Sequence, residues 1–135
     1  MGYLLFEYKM KILVWCMGET GTCFPDFMKK YGEDSIIGYT DSNKKKTESY
    51  ISENKLFEGY SVFCVDEITK IDFECIVIAS FQKNIINEIR EFIKTVLKID
   101  CPILNIEQAL NRIRAKRVIE KYKQTEEPEI KKTIE

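Results

Sequence analysis

Two glycines at a set distance from an acid mark the chemistry this chain could perform. Gly18-Glu19-Thr20-Gly21 follows an apolar run, Lys11 to Met17 (KILVWCM), and a second run, SIIGYT, ends at Asp41. A tight turn between a strand and a helix aims backbone N–H groups at one point, where a phosphate is stabilised. An acid roughly 20 residues further on, at the carboxyl end of the next strand, accepts hydrogen bonds from ribose hydroxyls. Ala79-Ser80 closes a third run, ECIVIAS, and opens a long helix, so these small residues face the same carboxyl-end crevice. The pattern names a ligand class and leaves the reaction open.

Each candidate also has a plainer reading. Asp41-Ser42-Asn43 after a strand is ordinary turn chemistry, in which the side chain bonds its own backbone. Ser80 is equally a helix N-cap. Glu19 sits in the turn itself, and a carboxylate aimed at a pyrophosphate would be repelled, so it is expected to face solvent. Lys44, Lys45 and Lys46 could reach a phosphate, although lysines in a polar loop are commonly just solvated. The five cysteines, Cys16, Cys23, Cys64, Cys75 and Cys101, contain no C-x-x-C pair, and the chain has no histidine, so neither a zinc site nor Cys-His catalysis is expected. Cys23 differs from the others because the first turn of a helix favours thiolate.

The elements that would position these groups alternate along the chain. Lys11 to Met17 reads as a strand covered on both faces. A helix follows with Phe24, Phe27, Met28 and Tyr31 at helical spacing, Pro25 in its first turn and Gly32 as its stop. Ser35 to Thr40 is the second strand. The polar stretch after Asp41 reads as a surface loop with at most a short irregular element. Tyr60 to Val65 is a strand, Asp66 to Lys70 a short turn capped by Asp66, and Glu74 to Ser80 a buried strand. From Gln82 to Lys98 an apolar stripe of Ile85, Ile89, Phe92, Ile93, Val96 and Leu97 predicts a helix. Cys101 to Leu104 is a last strand, and Asn105 with Gln108 forms a capping box for a helix to about Gln124.

Composition bounds what this machinery can be. The 135 residues suffice for one domain and fall short of a dinucleotide domain plus a substrate domain. A net charge of -1 gives no reason to expect nucleic acid, and no apolar run approaches a membrane span. Neither an export signal nor a myristoylation signal is present in MGYLLFEYK, so a cytoplasmic location is the default expectation. There is no Tyr-x-x-x-Lys pair and no G-x-x-x-x-G-K-[ST] loop, so no catalytic turnover is expected from this chain alone.

With Val14 to Gly21, Gly38 to Asp41 and Ile76 to Ser80 in place, the chain resembles the small Rossmann-like domains of bacterial surface-polysaccharide biosynthesis proteins. These are related to the nucleotide-binding, NAD(P)-binding-type regions of nucleotide-sugar epimerases and dehydratases. The resemblance covers about residues 11–105 and implies a three-layer α/β/α fold on a mainly parallel sheet of about five strands. It also implies a cofactor-binding role for Gly18, Glu19, Thr20, Gly21 and Asp41, with Ala79 and Ser80 on the pocket floor, and NAD or a nucleotide sugar as ligand. Cys16 stands where the family has the first glycine of G-x-G-x-x-G, and it is expected to keep a negative φ. The flanks read as an N-terminal extension, 1–10, and a C-terminal helix and linker, 106–135. The linker looks like a lead into a downstream catalytic domain, and the extension offers a pairing surface for a homodimer. The competing function is a ligand-free Rossmann-like interaction or dimerisation module. The tail helix carries Arg112, Arg114, Lys116, Arg117, Lys121 and Lys123, a face for an acidic partner, for a membrane surface or simply for water.

Overall fold

The computed structural model describes residues 10–31 and 35–125; residues 1–9 of the N-terminal extension, Gly32 and the charged linker after Thr125 lie outside the described residues. The elements run β1 (Lys11–Trp15), α1 (Glu19–Tyr31), β2 (Ser35–Thr40), α2 (Lys44–Ser52), a 3-10 turn (Val65–Lys70), β3 (Cys75–Ile78), α3 (Lys83–Phe92), β4 (Ile103–Asn105) and α4 (Ile106–Thr125). The strands form one sheet in the order β2-β1-β3-β4, and every pairing is parallel.

Alternation along each central strand explains the layers. Ile12 and Val14 of β1, with Cys75 and Val77 of β3, point to one face, where they meet Phe24 and Met28 of α1 and Ile106 and Ala109 of α4. Leu13 and Trp15, with Ile76 and Ile78, point to the other, where Ile86, Ile89 and Ile93 cover them together with Ile68 of the 3-10 turn. A strand buried on both faces must be apolar at every position, which is why β1 and β3 read as unbroken apolar runs. The result is a three-layer α/β arrangement in which the chain leaves β1 on one side and reaches β3 on the other. The carboxyl ends of β1 and β3 therefore flank the switch in strand order, where open α/β sheets leave a crevice.

Several expectations are corrected. Among the described residues the sheet has four strands, not about five: Tyr60 to Val65 makes one bridge to the sheet, Tyr39 to Val62, with Tyr39 N donating to Ser61 O and Phe63 N to Tyr39 O, both at 2.9 Å. That segment lies against the β2 edge because Gly38 has no side chain; a Cβ there would meet Ser61 O at 2.8 Å and the Phe63 ring at 2.4 Å. The expected surface loop after Asp41 contains a nine-residue helix, α2, capped by Asn43. The 3-10 turn is capped by Cys64 instead of Asp66 and has no side-chain cap bond. The long helix is not uniform: α3 passes into a π turn at Ile93–Leu97 and ends at Lys98 with φ 53°. Ile86, left out of the predicted stripe, is buried, while Val96, included in it, is 65 % exposed.

The capping box at the start of α4 forms as the sequence indicates. Gln108 N donates to Asn105 Oδ1 at 2.8 Å, and Asn105 N donates to Gln108 Oε1 at 2.9 Å. Among the described residues, no helix is long and apolar enough to cross a membrane.

Candidate functional site

The glycine turn is gripped by the corner that joins β2 to α2. Met17 N donates to Asp41 Oδ2 at 2.7 Å, and Lys46 Nζ donates to Met17 O at 2.7 Å, so both polar atoms of the Met17 backbone are held from the neighbouring strand. One residue earlier, Cys16 N donates to Thr40 O at 2.9 Å, extending the parallel ladder beyond β1. The Trp15 indole N–H reaches Ser42 Oγ at 3.0 Å. Asp41 Oδ1 accepts from Asn43 N at 2.8 Å, the turn chemistry its sequence context suggests.

Cys16 makes the turn out of the strand with φ 100°, contrary to the negative φ expected of it. A side chain at such a φ is strained by about 1–3 kcal/mol. The surrounding hydrogen bonds of Met17 and Cys16 hold it there. Burial, and secondarily Asp41, push its thiol up to about 12, against an opposing effect of Lys46. It is therefore a protonated thiol near neutral pH and a poor nucleophile.

The two glycines have different roles. Gly21 is buried where α1 crosses the end of β1, and a Cβ there would lie 2.2 Å from Cys16 O. Gly18 is exposed and has open space where a Cβ would go. Glu19 is exposed, as its charge suggests, and Thr20 is half-buried. Thr22 closes the first turn of α1 on Gly18 O through its amide at 2.9 Å and its hydroxyl at 3.1 Å. Tyr39, fully buried in β2, donates its hydroxyl to Gly21 O at 2.7 Å and so ties the second strand to the same turn.

Across the sheet, Ala79 is buried and its amide donates to Trp15 O at 2.8 Å. Ser80 Oγ accepts from Gln82 N at 3.2 Å, but the N-cap of α3 is Gln82, so Ser80 shapes the entry to the helix and does not cap it.

A cavity of about 920 Å³ opens on the Trp15 face of the sheet, beside this corner. Asp41, Ser42, Asn43 and Lys44 line it from the β2–α2 corner, Val65 and Asp66 from the 3-10 turn, and Ile85, Glu88, Ile89, Phe92, Val96 and Leu97 from α3 and its π turn, together with Cys16. Phe92 also packs edge-on against Trp15, ring centroids 6.3 Å apart. Of the seven residues expected at the site, Asp41 lines this cavity; Gly18 to Gly21, Ala79 and Ser80 stand outside its lining.

Sequence reasoning missed Glu88, gave Asn43 and Asp66 only turn and cap roles, left Lys46 outside the site as a lysine that could reach a phosphate but is commonly just solvated, and placed Ile85, Phe92, Val96 and Leu97 on one apolar helix stripe. A signal existed for α2: Asn43 is a good N-cap, and Lys44 and Glu48 are spaced as a helical ion pair, 3.8 Å apart in the structure. No sequence signal separates a core-facing isoleucine from one that faces an opening. Cys64, Asp66 and Glu67 bring three potential metal ligands together at the start of the 3-10 turn. Acids in the first turn of a helix are favoured by its dipole without any ion, which is their commoner use.

The chain belongs to the C2185-like N-terminal family, whose model matches residues 8–101. That span includes the glycine turn, the β2–α2 corner, Ala79-Ser80 and α3. No curated protein and no solved structure gives a significant match to the chain.

Proposed function

We propose that this member of the C2185-like N-terminal family is a Rossmann-like, nucleotide-binding domain that takes NAD or a nucleotide sugar. In this reading it is an accessory unit of a surface-polysaccharide or sugar-modifying enzyme. The observation that carries the reading is the cavity with Asp41 on its rim, at the carboxyl end of β2 and one hydrogen bond from the glycine turn. Its apolar wall of Ile85, Ile89 and Phe92 suits the face of a flat heterocyclic base. Asp41 is engaged once on each oxygen, and a carboxylate oxygen has two acceptor sites, so ribose hydroxyls can still bond there. The phosphates would then run toward the first amides of α1, where the helix dipole favours an anion.

The second reading, a ligand-free interaction module, is favoured by one observation. Both Asp41 oxygens already serve backbone amides, so the acid has a structural role that needs no ligand. Titration of the full chain with NAD, NADP, coenzyme A, S-adenosylmethionine and nucleotide sugars separates the two. Trp15, the single tryptophan, packs on Phe92 at the cavity wall and should report occupancy by fluorescence. A ligand at 100 times its dissociation constant should also stabilise the fold by about 2.7 kcal/mol. An Ile85→Trp variant, which fills the cavity from a half-buried position, should abolish the response. No shift with any ligand would leave the interaction module as the better account.

A further inference from the structure

The charges around the cavity are unevenly placed. Asp41, Asp66 and Glu88 line it against the single ammonium of Lys44, so its walls are net negative and repel a phosphate. Lys44 itself is exposed and sits 3.8 Å from Glu48. Lys46 is different: it is half-buried, and its ammonium lies 2.7 Å from Met17 O, the last carbonyl before Gly18. Its backbone is set by the Asn43 cap, Lys46 N donating to Asn43 Oδ1 at 3.3 Å, so the stem leaves a helix start and crosses to the turn. The ammonium has three donors and Met17 O takes one.

We infer that Lys46 determines specificity at this site, supplying the counter-charge for a 5′-linked phosphate at the glycine turn and so selecting nucleotides over their nucleosides. The inference rests on the nucleotide-binding reading above. Lys46 is the cation that the turn already holds, and the acidic cavity beside it accepts the uncharged nucleoside while keeping the phosphate at the turn.

The test compares ADP, UDP and GDP, each with its own nucleoside, on the full chain by calorimetry and Trp15 fluorescence. The wild type should prefer the diphosphate, and added salt should reduce that preference. Lys46→Met, which keeps the aliphatic stem, should weaken diphosphate binding about 10- to 100-fold and leave nucleoside binding within about twofold. Lys46→Arg should retain most of the preference, and a thermal melt of each variant confirms that it is folded. Adenosine 5′-monophosphate and 2′-monophosphate separate the two sources of a phosphate; the loss in Lys46→Met must fall on the 5′ compound. An equal loss for nucleoside and diphosphate would make Lys46 a structural tether and overturn the inference, as would a loss confined to the 2′ compound. A wild type that binds nucleotides while Lys46→Met binds them equally well overturns the inference alone. A wild type that binds none of these compounds overturns the nucleotide reading and the inference together.

Discussion

The amide of Met17 donates to the Asp41 carboxylate across 2.7 Å, joining the residue before the first turn glycine to the acid at the end of the next strand. Sequence spacing suggests only that these two regions share a crevice. The bond makes the acid part of the turn's own support, so any ligand that engages Asp41 also acts on the glycine turn. Asp41→Ala removes the acceptor for both Met17 N and Asn43 N. It should cost about 1–3 kcal/mol in urea denaturation, because the partly sheltered Met17 amide and the exposed Asn43 amide lose a charged acceptor. An unchanged midpoint would mean that these bonds are replaced by water at no cost.

Cys16 provides a test of backbone strain. With φ at 100°, a Cβ is the costly feature, so Cys16→Gly should be more stable than Cys16→Ala. Strain of about 1–3 kcal/mol, less about 0.5–1 kcal/mol for the greater unfolded entropy of glycine, leaves a difference of roughly 1 kcal/mol. Equal melting curves for the two variants would place Cys16 in an unstrained conformation.

The two turn glycines should respond oppositely to alanine. Gly21→Ala drives a methyl to 2.2 Å from Cys16 O, and backbone on both sides has to move. A loss of about 1–3 kcal/mol is expected. Gly18→Ala meets nothing within 4 Å and should stay within about 0.5 kcal/mol of the wild type. Chemical denaturation of the pair, done side by side, would expose a reversal.

Thiol chemistry should follow burial. Cys23 is exposed on α1, whereas Cys64 and Cys75 are buried and Cys16 is held protonated. An aromatic disulfide reagent at pH 8 should therefore modify Cys23 first, and a Cys23→Ser chain should lose the fast phase. Modification of Cys16 at a comparable rate would contradict its raised pKa.

The same shift gives a direction for alkaline stability. The folded chain holds the Cys16 proton to about 12, against an ordinary thiol value of 9.0, so above pH 9 the folded state binds more protons than the unfolded one. Stability then falls as pH rises between those values, and below pH 9 this contribution is fully present. Tyr39, also raised by burial, acts in the same sense above its ordinary value of 10.0. Replacing Cys16 with alanine should flatten the urea midpoint against pH between 9 and 11; an unaltered slope would remove Cys16 as a cause.

The strand and helix order was legible because burial on both faces leaves a direct imprint. β1 after its first residue, Lys11, and the whole of β3 are apolar without interruption, and the Asn105–Gln108 box marks the start of α4. α2 was not legible from apolar periodicity, because a helix with Thr47 as its buried residue shows none; its signals were the Asn43 cap and the Lys44–Glu48 spacing. Tyr60 to Val65 has strand composition but makes a single bridge to the sheet, since whether an apolar run completes a ladder depends on the neighbour it meets.

By itself the sequence determined the layer architecture and the nearness of a glycine turn to an acid, since periodicity and element order are local properties of a chain. Tertiary structure alone decided that α3 and its π turn present Ile85, Phe92, Val96 and Leu97 to an opening, that Cys16 takes a positive φ, and that Lys46 reaches Met17. Those outcomes depend on how closely two segments far apart in sequence approach, and contact distance leaves no periodic mark on either segment.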